Sequence, residues 1–155
     1  MPGVKWTRDT LKGSTKTQGD FNLAHRFTCE IDGVAIGGIH TIEGLEHEHE
    51  VVEYHDGDEG VTRFRPGRQK PGTIKITRDF SATKEFFTWR KSVLDGKVDR
   101  KSISIVLLND AGEEAMRYNL YECWPKKYHG PSLNARNSAH ATEALEIAFE
   151  TFEMK

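Results

Sequence analysis

The chain has 155 residues, a net charge of −2, and 30 % charged against 36 % hydrophobic residues. That length suits one ordinary domain with its own core, and the 22 Lys and Arg are spread along the sequence, which argues against the one-sided basic face needed to grip duplex DNA. No apolar run approaches the ~18–20 residues of a membrane span and the first residues lack a signal-peptide pattern, so a soluble product made in the cytoplasm is expected.

Residues 1–20 are rich in Gly, Ser, Thr and Lys without sustained periodicity and read as a flexible N-terminal arm ahead of one domain over 21–155. In FTCEI, Phe27, Cys29 and Ile31 share one face, and Asp32-Gly33 turns the chain into a hairpin. The run VAIGGIHTIEG continues as a second strand, with Gly37-Gly38 as a bulge or close approach. LEHEHEVVEY, residues 45–54, has a period of two that sets Glu46, Glu48 and Glu50 against Leu45, His47, His49 and Val51.

Residues 55–72 mix charge with glycine and proline and read as a long loop, followed by a strand at TIKIT, 73–77. A helix is expected over 81–94, capped by Ser81, apolar at Phe86, Trp89, Val93 and Leu94, and stopped by Asp95-Gly96. Two alternating runs around Asn109–Gly112 predict a hairpin whose second strand ends at Trp124-Pro125, with a loop or short edge element over 126–140. In ATEALEIAFETFEMK the composition favours helix and the alternation of Leu145, Ile147 and Phe149 favours strand. The sum is mainly β: an antiparallel β-sandwich or barrel with one flanking α-helix.

Cys29 and Cys123 have no metal-ligand spacing and read as small buried hydrophobes. His47, His49 and His55 form the one cluster that resembles a metal site, because H-x-H on a strand aims two imidazoles the same way; this leaves a metal-dependent enzyme or small-ligand β-barrel as an alternative. Glu46, Glu48 and Glu50 share one environment and so lack the split pKa values of an acid–base pair; they read as an acidic stripe. No nucleotide-binding or nucleophile motif occurs, no cofactor is implied, and the chain is not expected to be an enzyme. A long polar strand is a hazard on a lone domain and is accounted for if copies join their sheets around a closed ring.

The motifs F-x-x-E-I-D-G at Phe27–Gly33, G-L-E…V-V-E-Y within Gly44–Tyr54, R-x-R-P-G-R…G-x-I within Arg63–Ile74, D-G-K-V-x-R-K-x-x-S-I-V-L-L at Asp95–Leu108 and W-P-x-K-Y-x-G-P-S-L-N-A at Trp124–Ala135 occur in order. Over about 21–153 the chain resembles the tail tube protein family of contractile phage tails and phage-tail-like contractile injection systems. The resemblance implies homo-hexameric rings with a continuous inner β-barrel, stacked into a hollow tube inside a contractile sheath and assembled into a virion tail or injection particle. Its implied partners are the sheath protein, baseplate and terminal cap proteins, and DNA or protein effector cargo in transit. A type VI secretion-like tube protein is the nearest alternative of the same shape.

By the same resemblance 141–153 is a strand, strands 45–54 and 73–77 belong to the lumen-lining sheet, and Glu46, Glu48 and Glu50 are lumen-facing candidates. Loop 55–72, with Asp56, Asp58, Glu59, Arg63, Arg65 and Arg68, is implied to reach the adjacent ring. Lys84, Arg90 and Lys91 on the helix are implied to meet the sheath.

Overall fold

A computed structural model describes residues 26–80, 83–136 and 139–155. The expected N-terminal arm and the Ser81 cap lie outside the described residues.

Strands β1 (Phe27–Ile31) and β2 (Val34–Ile36) form the first hairpin. Its turn residues Asp32 and Gly33 both take positive φ, 50° and 79°, which matches the right-handed twist of the flanking strands. β3 (Ile39–Glu43) does not continue β2. β2 pairs with β1, whereas β3 pairs with β6 (Gly72–Asp79). Gly37-Gly38, expected as a bulge within one strand, is where the chain crosses between layers; Gly38 has φ +74°.

β7 (Lys101–Leu108) and β8 (Glu114–His129) form the second hairpin, and β9 (Thr142–Phe149) and β10 (Thr151–Met154) complete a sheet ordered β2-β1-β7-β8-β9-β6-β3, with β10 also paired to β8. β8 serves both layers. Up to Cys123 it pairs with β7, and from Trp124 it pairs with β9. The switch is a bulge: Lys101 and Ile103 oppose Cys123 and Leu120, so Tyr121 and Glu122 face the single residue Ser102, and Glu122 has φ 54°. The expected strand end at Trp124-Pro125 is therefore corrected, as is the loop reading of 126–129. Beyond Cys123 the strand is an edge with a further register shift at Pro125–Lys127, a position where proline is tolerated.

The core lies between the layers. Cys29, Ile103, Ile105 and Leu120 pack from one side, Ile74, Ile76, Leu145, Ile147 and Phe149 from the other. β9 has partners on both sides, β6 and β8, which settles the C-terminal stretch as strand against its helical composition. Helix α1 (Glu85–Leu94) is shorter than the expected 81–94 and inserts Phe86 and Trp89 into the core. It ends in a Schellman motif, with Gly96 N–H donating to the Val93 carbonyl (3.1 Å) and Lys97 N–H to that of Ser92 (3.0 Å). Among the described residues no helix is long and apolar enough to cross a membrane.

β4 (Glu48–Tyr54) and β5 (Arg63–Lys70) form a two-stranded ribbon separate from the eight-stranded sheet. This corrects the long loop of 55–72, of which only the tip between the strands remains non-strand, and it separates strand 45–54 from strand 73–77 within the protomer. Proline and glycine in RFRPGRQK mimic a loop, but both ribbon strands are edges. Pro66 pairs with Val51, and the extra residue of β5 sits opposite Glu50. There Gly67 relieves crowding: a Cβ would come to about 3.0 Å from the Glu50 carbonyl and the Val52 methyl.

Candidate assembly interface

Among the described residues the layer β3-β6-β9-β8 leaves two free edges, β3 and residues 124–129 of β8. Three successive antiparallel pairings separate them, so the two edges run in opposite directions. Open ladder groups on such edges are templates for another strand.

The outer face of this layer, turned away from Ile74, Ile76, Leu145 and Ile147, carries a transverse row fixed by register. Glu43 on β3 opposes Lys75 on β6, Lys75 opposes Glu146 on β9, and Glu146 opposes Lys127 on β8. The next row is Thr41, Thr77, Ala144 and His129. His129 reaches Glu146 at 2.8 Å, and that hydrogen bond, followed by the nearby positive charges, holds the Glu146 carboxyl below the usual range. None of the row was singled out by sequence reasoning. Its one signal is an outward alternating position in each of four strands, and the strands' mutual register is invisible in one dimension.

The ribbon has two unlike faces. Glu48, Glu50, Val52 and Tyr54 lie on one side with Arg65 and Lys70, where Lys70 Nζ donates to Glu48 at 3.1 Å and the Arg65 guanidinium stands 5.9 Å from the Tyr54 ring centre. The other side presents Val51 and Phe64, 66 % and 63 % exposed, beside Pro66. Single exposed apolar residues are ordinary, but two neighbours on a projecting ribbon point to a contact surface. Glu46 is exposed on the leg that leads into β4. At the tip Asp56, Asp58 and Glu59 are exposed, with Arg63 donating to Glu59 through Nε (2.9 Å) and Nη2 (2.5 Å); Arg68 is exposed on β5.

The ribbon's root is tightly packed. The His47 ring stands edge-on to Phe152, centroids 4.2 Å apart, and Phe152 stacks on Tyr118 at 5.5 Å. A Cβ on Gly72 would collide with the Phe149 ring, and one on Gly44, at φ +93°, with the Thr73 carbonyl. His47 is thus occupied with Phe152, while His49 faces Gln69 across the ribbon. Among the described residues no group of three or more His, Cys, Asp or Glu is placed to hold a metal ion, and His47, His49 and His55 do not form one.

The N-cap residue Lys84 and Phe87, Lys91 and Leu94 of α1 recur at three and four and share the exposed face, with Phe87 edge-on to Tyr128 at 5.7 Å. Arg90 is half-buried, and Phe87 and Leu94 are exposed apolar members of that face that sequence reasoning did not place there.

A family model described as "T4-like virus tail tube protein gp19" matches residues 23–153. The structure is similar to that of a chain in the extended-state PVC sheath-tube complex of an extracellular contractile injection system, with TM-score 0.78, 27 % identity, and coverage of 86 % of this chain and 90 % of that one. It also shares its fold with a chain of the anti-feeding prophage tube-terminating cap (TM-score 0.78, 21 % identity, 86 % and 89 % coverage). Hcp1 from Flavobacterium johnsoniae is more distant, at TM-score 0.50 and 17 % identity over 83 % of this chain and 94 % of that one. A comparison with curated protein sequences finds no match. Free sheet edges, a projecting ribbon and a family match over nearly the whole described domain converge on one assignment: the chain belongs to the T4-like tail tube protein family and is a structural inner-tube protein, not an enzyme.

Proposed function

We propose that six copies join edge to edge into a ring in which the β3-β6-β9-β8 layers merge into one inner β-barrel, and that rings stack into a hollow tube through the β4-β5 ribbon. The observation that carries this reading is the pair of free, oppositely running edges on a single layer, which a head-to-tail ring consumes completely. The ribbon, self-paired and with Val51 and Phe64 exposed on one face, supplies a projection for the adjacent ring, with Asp56, Asp58, Glu59, Arg63, Arg65 and Arg68 as its polar contacts. Glu46, Glu48 and Glu50 are turned toward the bore, Glu48 partly neutralised by Lys70, and their remaining negative charge keeps anionic cargo from adhering.

The tube sits inside a contractile sheath, whose contacts fall on the N-cap Lys84 and on Arg90 and Lys91 of α1, and it ends on cap and baseplate proteins. The likeness to chains of a sheath-tube complex and of a tube-terminating cap supports these partners. Protomers made in the bacterial cytoplasm enter a virion tail or injection particle whose lumen conducts DNA or protein effectors. A type VI-like tube is the weaker reading, since likeness to Hcp1 falls well below that to the injection-system chain. Native mass spectrometry of the purified full chain tests the ring: a dominant hexamer and its multiples are expected, and a monomer at every concentration would overturn it.

A further inference from the structure

We propose that Glu43 of one copy pairs with Lys127 of the next, so that the acid–base row across the layer closes into an unbroken alternating circle; this rests on the ring reading above. Within one protomer the row runs Glu43, Lys75, Glu146, Lys127 from one edge to the other. It has an even number of members, begins with an acid on edge β3 and ends with a base on edge β8. A head-to-tail repeat that sets Glu43 in register with Lys127 places opposite charges at every step, including the step across the subunit boundary.

The direction of the strands agrees. β3 and β8 run oppositely, so β8 of one copy beside β3 of the next is an antiparallel pair, in which directly opposed side chains on one face lie ~4.5–5.5 Å apart. Among the described residues neither Glu43 nor Lys127 makes a side-chain hydrogen bond or ion pair within its own chain, whereas Glu146 in the middle of the row is held by His129.

The same charges choose the partner edge. Lysines on an exposed edge repel indiscriminate strand addition, and β8 carries Lys126 and Lys127 next to Pro125. Two β8 edges would confront lysine with lysine, and a neutral strand would leave Lys127 with a counter-charge on one side only, Glu146 of its own chain. An edge with an acid at that register removes the objection, and β3 supplies Glu43. The pair thus acts as a register and orientation key for ring closure, a use for which complementary charge is better suited than for raw affinity.

Charge exchange tests it. Glu43→Lys and Lys127→Glu, each alone, should raise the protein concentration at which half the chain is in rings by about tenfold or more, and the double exchange should return it to within about threefold of the original. Both sites are exposed, but each reversal also meets a like charge in its own chain, Lys75 or Glu146, so the monomers should stay folded and melt a little below the parent. Glu43→Gln and Lys127→Gln serve as gentler variants and should give intermediate rings if a reversal impairs folding. Single reversals that assemble like the parent, or a double exchange no better than either single, overturn the pairing while leaving the ring intact. A parent chain that forms no rings overturns the ring reading and this pairing with it.

Discussion

Arg78 and Glu143, cross-strand partners on β6 and β9, meet inside the protein: Arg78 Nε donates to Glu143 Oε1 at 2.6 Å and each side chain is only 3 % exposed. The guanidinium also lies 3.8 Å from the Phe86 ring centre and reaches Glu85 at 3.3 Å, while Tyr128 donates to the other Glu143 oxygen at 2.8 Å. One buried network therefore ties β6, β8 and β9 to α1. Burying both charges is costly, but removing Glu143 leaves the buried Arg78 with only the longer contact to the exposed Glu85. Glu143→Ala is expected to destabilise the fold by about 3–5 kcal/mol, read from denaturant unfolding, and a change under 1 kcal/mol would show the pair to be dispensable.

Alkaline pH should unfold the chain by a definite route. Burial pushes the Cys29 and Cys123 thiols up to about 12, and burial with the Glu143 hydrogen bond does the same for Tyr128. Raised values mean that the folded state keeps these protons more tightly than the unfolded one. Their stabilisation is whole below the unfolded values, near 9 for the thiols and 10 for the phenol, and is lost as pH climbs toward 12. Denaturant midpoints should fall steadily from pH 9 upward, and Tyr128→Phe should flatten the part of the slope above pH 10. A midpoint constant to pH 11 would contradict this.

The ribbon's aim is set at its root, where Gly72 lies under the Phe149 ring. Gly72→Ala must displace that ring and is expected to cost about 1–3 kcal/mol while tilting the ribbon. Melting temperature and electron microscopy check the two consequences: a lowered melting point, and rings that stack poorly. Unchanged stability and normal tubes would mean that the root yields freely.

Deleting residues 55–70 should spare the eight-stranded sheet, since the ribbon pairs only with itself and loop closure depends weakly on length. Circular dichroism should keep its β signal and rings should form without stacking. A shortened chain that still builds tubes would place the inter-ring contact elsewhere.

Local chemistry was readable from the residues and long-range pairing was not. Asp32-Gly33 and Asn109–Gly112 declare their hairpins through turn chemistry, and Phe86 and Trp89 declare the buried face of α1 by spacing. β5 hid behind Pro66-Gly67, which signal a loop unless the strand is already known to be an edge with a bulge. β8 ran on through Pro125 because its partner changes from β7 to β9, an event fixed by residues far away in sequence. The acid–base row was illegible for the same reason: positions 43, 75, 127 and 146 become neighbours only through three strand registers. The family motifs named the architecture, and the pairings supplied the surfaces.

High-resolution electron cryomicroscopy of the purified chain is the most direct measurement of how it assembles. Six copies with backbone hydrogen bonds running from β8 of each into β3 of the next are the result that our account predicts. Isolated molecules, or rings held only through side chains with both edges still open, would contradict it.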